Sequence, residues 1–113
     1  MQNAEQRKVN IFHLAILRAV VEGQQIGQYL GSWTQLKHWV EEAVKVGLIY
    51  QTDGPERSTK TKDYLWTDDG IAIYHTFNLA MKGPSRSYLW PDARQLERDV
   101  NRLLNYEGAD DGR

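Results

Sequence analysis

The chain of 113 residues contains no cysteine, which excludes disulfide bonds and thiolate metal sites. It also lacks any run of about 18 apolar residues, the length that a membrane-spanning helix requires. Its first residues, Met-Gln-Asn-Ala-Glu-Gln-Arg-Lys, are polar and do not contain the apolar core of a secretory signal. We therefore expect a cytoplasmic protein that makes no contact with a membrane.

An excess of positive charge is also missing. The sequence has 14 Lys and Arg against 15 Asp and Glu, for a net charge of −1. Since nucleic-acid-binding domains are usually basic, any positive surface on this chain has to be local. Its four tryptophans suit both a packed core and an interface, so their number does not separate these roles.

Catalytic motifs are absent as well. His13, His38 and His75 lie on three different predicted helices, with none of the spacings by which paired histidines bind zinc. The sequence contains neither a glycine-rich phosphate loop nor the Gly-x-Ser-x-Gly pattern of a nucleophile elbow. We expect that the protein is not an enzyme and holds neither a metal nor another cofactor.

Apolar residues at helical spacing and capping residues at the segment ends predict five helices. Asn3 is the expected N-cap of the first, and Ser32 and Thr67 cap the third and fourth. Gly23 and Gly47 are expected to end the first and third helices in the left-handed conformation. The predicted helices cover residues 4–22, 24–30, 33–46, 68–82 and 91–106.

Two short strands are predicted between the third and fourth helices. Residues 48–50 and 63–66 are bulky and β-branched or aromatic, which favours strands. The polar residues 51–62 between them contain the turn signal Gly54-Pro55. The expected fold class is mainly α with a small β-hairpin, that is, α+β, with Trp39 and Trp66 in the core.

Two stretches resemble a known family. Residues 26–49 (IGQYLGSWTQLKHWVEEAVKVGLI) resemble the helix-turn-helix of winged-helix transcriptional regulators such as the MarR and PadR groups. Residues 64–70 (YLWTDDG) are similar to the Tyr-x-Leu-Thr-x-x-Gly signature that joins the wing to the next helix in these proteins, with Trp66 in the usual Leu place. The resemblance implies a winged helix-turn-helix domain over residues 1–83, a C-terminal helix over 84–107 and a frayed tail over 108–113.

The resemblance also implies a sequence-specific transcriptional regulator that binds double-stranded DNA, because the third helix of such folds enters the major groove. On this recognition helix, Gln35 would pair with an adenine edge and Lys37 with guanine or phosphate. Glu41 would either accept from a cytosine amine or repel phosphate. The alternative is an ordinary solvated helix face. The residues that would face the DNA are Ser32, Trp33, Thr34, Gln35, Lys37, His38 and Glu41.

The wing, residues 51–63, carries the clearest basic signal. Basic side chains alternate there with hydroxyl groups, as suits phosphate or minor-groove contacts. The alternative is a flexible, soluble hairpin tip whose acidic residues cancel the positive charge. The candidate DNA contacts are Arg57, Ser58, Lys60 and Lys62, and the acids are Asp53, Glu56 and Asp63.

The last helix carries an apolar stripe at nearly heptad spacing, which favours a homodimer seam like that of PadR proteins. The stripe consists of Leu96, Val100, Leu103 and Leu104. The alternative is packing of this helix on the first helix of its own chain.

A second hypothesis for the whole chain is a winged-helix protein-interaction module, such as a small viral or plasmid factor that binds and modulates a host protein. The near-neutral charge, the adjacent Glu41 and Glu42 on the third helix and the four tryptophans all suit such a role.

Overall fold

The computed structural model of the protein describes residues 7–24, 33–80, 90 and 92–110. Within these residues the chain is mainly helical with one two-stranded antiparallel sheet, which confirms the predicted α+β class. The elements are α1 (Ile11–Glu22), α2 (Trp33–Lys45), β1 (Ile49–Gln51), a 3-10 turn (Thr61–Asp63), β2 (Tyr64–Trp66), α3 (Asp68–Thr76) and α4 (Ala93–Asp110). The short helix predicted over 24–30 lies, apart from Gln24, outside the described residues.

Helix α1 is the centre of the core. It contacts α2, α3, α4 and β2, and its residues 13–20 are all buried. Leu14, Ile16 and Leu17 are completely or almost completely inaccessible, and each such side chain contributes about 1.5–3 kcal/mol relative to an exposed position. Among the described residues, no helix is both long enough and apolar enough to cross a membrane.

The predicted start of the first helix is wrong. The helix begins at Ile11 and is capped by Asn10, not Asn3. The Asn10 side chain accepts hydrogen bonds from the amides of Phe12 and His13, and the Asn10 amide donates to Nδ1 of His13 at 3.1 Å. This reciprocal capping box satisfies amides that the first helical turn leaves without partners.

Residues 7–9 are not helical because helix α4 binds their backbone. The binding side chains are Asn101 and Asn105. Asn101 accepts from the amide of Val9 at 2.7 Å and donates to its carbonyl at 2.9 Å, and Asn105 makes the same pair of bonds to Arg7, both at 3.0 Å. Four helical residues rise about 6 Å and two extended residues about 6.6 Å. The spacing of Asn101 and Asn105 along α4 therefore matches that of Val9 and Arg7 along the extended segment.

Glu97 completes this row by accepting a hydrogen bond from the amide of Ile11 at 2.8 Å. Glu97 and Asn101 therefore bind backbone amides at and just before the start of α1. Helix α4 also extends past the predicted end, to Asp110, so its last turn includes residues that were expected to fray.

The predicted ends at Gly23 and Gly47 are confirmed. Both glycines have positive φ angles, 68° and 84°, and the residues after them bond back into the last helical turn. Helix α3, in contrast, ends at Thr76 instead of continuing to residue 82. Asn78 adopts φ 54° there, and the amide of Leu79 donates to the carbonyl of Tyr74, so an asparagine closes this helix as glycine closes the others.

Thr67 joins the hairpin to the helices on either side. Its side chain accepts from the amide of Gly70 at 2.9 Å, which confirms the predicted N-cap of α3. Its hydroxyl also donates to the carbonyls of Gly47 and Leu48, and its amide donates to Leu48 at 3.0 Å. A single residue therefore connects the end of α2, the base of the hairpin and the start of α3.

The tryptophans divide between core and surface. Trp39 packs against the core and stacks on Phe12 with ring centroids 4.8 Å apart, as predicted. Trp66 is 36% exposed, so its predicted place in the core is wrong. Trp66 is the last residue of β2, and its cross-strand partner Ile49 is the residue of that pair that is buried. Trp90 packs before α4 under the guanidinium of the buried Arg18, which lies 4.4 Å from the ring centroid.

Gly70 provides a test of the Thr67 joint. A Cβ at this position would lie 2.1 Å from the carbonyl oxygen of Leu48, so Gly70→Ala should lower the free energy of unfolding by about 2–3 kcal/mol. Helix propensity alone predicts the opposite, a gain of up to about 1 kcal/mol. Urea denaturation measures the sign, and Ala72→Gly on the exposed face of α3 calibrates the propensity. Stabilisation by Gly70→Ala would contradict the close contact.

His13 predicts a pH dependence of stability. The side chain is 2% exposed, and burial lowers its pKa from 6.5 to about 4, with smaller opposing effects from Glu42 (raising) and His38 (lowering). Above pH 6.5 the ring is neutral in both states. Between pH 6.5 and 4 the unfolded chain gains a proton that the folded chain does not, so the free energy of unfolding should fall by up to about 3 kcal/mol.

Urea denaturation across this pH range, compared with His13→Gln, isolates the contribution of this one ring. Glutamine keeps an acceptor for the Asn10 amide but does not titrate. The exposed His38, changed to Gln, is the matched control on α2. Parallel pH profiles for the wild type and His13→Gln would show that the buried ring is not responsible.

Candidate nucleic-acid interface

The loop between the strands, residues 52–63, is closed by its own hydrogen bonds and is not a loose tip. Gln51 at the end of β1 donates from Nε2 to the carbonyls of Asp53 and Pro55, at 2.8 and 2.6 Å. At the other end, the carbonyl of Asp63 accepts from the amide of Thr52 at 2.7 Å. These bonds hold the two ends of the hairpin loop together, so the loop has a defined shape.

Asp63 organises the interior of the hairpin loop. It is 5% exposed, and its carboxylate accepts a hydrogen bond from the hydroxyl of Ser58, which is itself 6% exposed. The Tyr64 hydroxyl donates to the carbonyl of Ser58 at 2.7 Å, and burial, with Asp63 nearby, raises the pKa of this phenol. Ser58, predicted to contact DNA, is instead buried within the loop because its hydroxyl is bound to Asp63.

The tip of the loop turns back toward helix α2. The amide of Ser58 donates to the carbonyl of Pro55 at 3.0 Å, and Arg57 within this turn has φ 62°, in the left-handed region. The guanidinium of Arg57 lies 3.3 Å from a carboxylate oxygen of Glu41, midway along α2. Glu41, predicted to meet either a base or a phosphate, therefore faces the loop of its own hairpin.

Helix α2 and the hairpin loop enclose a cleft of about 570 Å³. Lys37, one helical turn before Glu41, is the α2 residue that lines it. The ionisable groups along the cleft are the basic Lys37, Arg57, Lys60 and Lys62 and the acidic Asp53, Glu56 and Asp63. The structure thus brings together the three basic residues predicted on the wing and one of those predicted on the recognition helix.

Helix α2 has a second, open face. Thr34, Gln35 and His38 are exposed near its start, on the side where base contacts were predicted. The ring of His38 meets the edge of Trp39 at 4.9 Å, which ties this exposed residue to the core below. Trp33 is the first residue of α2, and Ser32 lies outside the described residues.

The outer face of the hairpin is apolar. Tyr50 and Leu65 lie directly opposite each other in the sheet and are 46% and 42% exposed. Alternation along β1 explains this, because Ile49 points into the core and its neighbour Tyr50 therefore points away. We define Tyr50 and Leu65 as the outer hairpin face; Trp66, 36% exposed, pairs with Ile49 on the other face of the sheet.

The apolar stripe of α4 packs on its own chain. Val100 is completely buried, and Leu96 and Leu104 are partly buried against the same core. Leu103 alone of the four predicted seam residues is largely exposed, at 46%. Three of the four residues therefore pack within the chain, where α4 contacts α1, and the homodimer seam stays a prediction.

Sequence reasoning missed the residues that shape the site, above all Gln51 and Asp63. An aspartate just before a strand and a glutamine just after one look like ordinary surface residues. The available signal was Gly54, whose φ of 83° places its Cα against the Asp63 carboxylate. A glycine and an acid at the two ends of a loop are typical of a closed turn, although many open loops share that pattern.

Comparisons with protein-family models, with curated proteins and with solved structures found no match to this chain. Within the part of the chain that the structure describes, no group of three or more His, Asp or Glu side chains could hold a metal ion. The functional interpretation therefore depends on the cleft, the exposed start of α2 and the outer hairpin face.

Asp63 provides a test of loop order. Asp63→Ala removes the acceptor of the buried Ser58 hydroxyl. We expect the hairpin loop to lose about 1.4 kcal/mol of local stability, which raises the population of its open form roughly tenfold. Trypsin cleavage after Arg57, Lys60 and Lys62 should accelerate accordingly, as mass spectrometry of the fragments would show. Asp68→Ala, at the exposed start of α3, is the control. Equal cleavage rates in both variants would contradict the role of Asp63.

Proposed function

We propose that the protein is a winged-helix regulator of transcription that binds double-stranded DNA with sequence preference. In this proposal α2 is the recognition helix and the hairpin with its loop is the wing. The order of α2, Gly47, hairpin, Thr67 and α3 supports it, since the described part of the first stretch that resembles winged-helix regulators, residues 33–49, and the second, residues 64–70, form connected parts of the fold.

The observation that carries the proposal is the convergence of basic side chains from two elements on one cleft. Lys37 from α2 and Lys60 and Lys62 from the hairpin loop line the same cavity of about 570 Å³. Lys60 and Lys62 make no ion pair with any described residue. A duplex backbone crossing the cleft would place phosphates near these ammonium groups and position α2 along the groove.

The acidic residues of the cleft oppose phosphate less than their number suggests. The Asp63 carboxylate is buried and bonded to Ser58, and that of Asp53 accepts from the amide of Gly54 at 2.8 Å. The exposed start of α2 supplies the direct readout in this proposal, where Gln35 suits an adenine edge and Thr34 a thymine methyl or a base edge.

The outer hairpin face favours a second candidate function, binding of a protein partner. Tyr50 and Leu65 present adjacent apolar surface, and aromatic residues are enriched in interface hot spots. This candidate predicts that Tyr50→Ser with Leu65→Ser leaves the fold intact and abolishes partner binding, whereas changes in the cleft leave partner binding unaffected.

Fluorescence anisotropy with a labelled random-sequence duplex across a salt series tests DNA binding. With three to five phosphate contacts, the logarithm of the binding constant should fall with the logarithm of salt at a slope of about −2.7 to −4.5. Lys60→Ala with Lys62→Ala should lower affinity and reduce that slope by about 2.

Arg94→Ala with Arg98→Ala is the matched control, because it removes the same charge from exposed positions on α4 outside the cleft. Equal losses in the two double variants would mean that only net charge matters. No binding at low salt would exclude the DNA proposal and leave the protein-binding candidate.

A further inference from the structure

The ion pair between Glu41 and Arg57 joins α2 to the hairpin loop, and its Arg57 lines the cleft of the proposed interface. One partner is on α2 and the other is at the tip of the hairpin loop, with 3.3 Å between the charged atoms. The Arg57 side chain is 57% exposed and that of Glu41 36%, so the pair is open to solvent and to an approaching anion. Such exposed pairs are weak, and a phosphate is able to compete for the guanidinium.

The backbone under Arg57 is held in place before any ligand arrives. The turn at Pro55 and Ser58, the Gln51 amide and the buried Asp63 carboxylate fix the loop on both sides of Arg57. The guanidinium is therefore kept near α2, where Glu41 is the carboxylate it meets.

We propose that Glu41 restricts DNA binding by holding Arg57 in this ion pair and so withholding its charge from phosphate. The inference rests on the proposed function and assigns Glu41 a role other than base reading. With a duplex of random sequence, Glu41 competes with the phosphate for the guanidinium, so Arg57 adds little affinity. A preferred site, with base contacts along α2, offsets the cost of opening the pair and gains Arg57 as an additional contact. Glu41 is in this sense a specificity-determining residue that acts through Arg57.

The test measures anisotropy of the full chain with a labelled random-sequence duplex. Glu41→Gln should raise affinity about threefold to tenfold at low salt and steepen the salt slope by about 0.9, the value of one further phosphate contact. Arg57→Ala in the wild-type background should change affinity by less than about twofold, because the paired charge contributes little. Arg57→Ala in the Glu41→Gln background should abolish the gain.

Glu42→Gln is the matched control. It removes the same charge one residue further along α2, where Glu42 acts on His13 and not on the loop. A gain from Glu42→Gln as large as that from Glu41→Gln would overturn the inference, since bulk charge would then explain both. A gain from Glu41→Gln that survives Arg57→Ala would also overturn it.

The outcomes separate the inference from the function on which it rests. DNA binding by the wild type with no gain in Glu41→Gln overturns the inference alone. No DNA binding by the wild type or any variant overturns the proposed function and the inference together. Thermal unfolding of each variant checks that all are folded, as expected for substitutions at exposed or half-exposed positions.

Discussion

The position of the hairpin relative to α2 and α3 depends on the contact between Thr67, Gly70 and the carbonyl of Leu48. Thr67 bonds to the backbone that leaves α2 and at the same time caps α3, and Gly70 lets the first turn of α3 approach that backbone closely. A side chain at Gly70 would push α3 away from the start of β1. The strands leave this joint together, so the hairpin loop is directed back along α2, with Arg57 opposite Glu41. Contacts within the fold therefore account for Thr67 and Gly70 of the YLWTDDG stretch, independently of any partner.

The charge balance of the chain has a spatial explanation. The sequence distributes acids and bases almost evenly, which argues against a nucleic-acid surface when only the net charge is considered. In the folded chain several acids are engaged in structural roles: Asp63 inside the loop, Asp69 with Arg7 at 2.6 Å, and Glu97 on the backbone before α1. Lys60 and Lys62, in contrast, line an open cleft. Net charge is therefore a poor guide to the local potential here, because these acidic side chains make contacts within the fold, whereas the two lysines line the cleft.

The sequence predicted correctly those features of the fold that depend on residues close together in the chain. The ends of α1 and α2 at glycines, the cap at Thr67 and the two strands follow from residues within a few positions, and the structure has them as expected. The errors arise where a distant segment decides. Asn3 and Asn10 are equally good caps by residue type, and the choice falls on Asn10 because Asn101 and Asn105 bind the preceding backbone. The cleft could be predicted only as two separate basic segments, since nothing local places Glu41 beside Arg57.

The three consecutive residues of β1 have three different roles in the structure. Ile49 is buried in the core, Tyr50 contributes to the outer hairpin face, and Gln51 secures the loop that carries the basic side chains. Successive strand residues point to opposite faces, so Tyr50 could enter the core only if β1 shifted by one residue relative to β2. Thr67 prevents such a shift by its hydrogen bond to the carbonyl of Leu48 at the base of the hairpin. The exposed apolar surface is therefore a consequence of the same register that orders the loop. Tyr50 and Leu65 lie on the side of the sheet away from the core, so a protein partner bound there would not have to displace the residues that pack the domain.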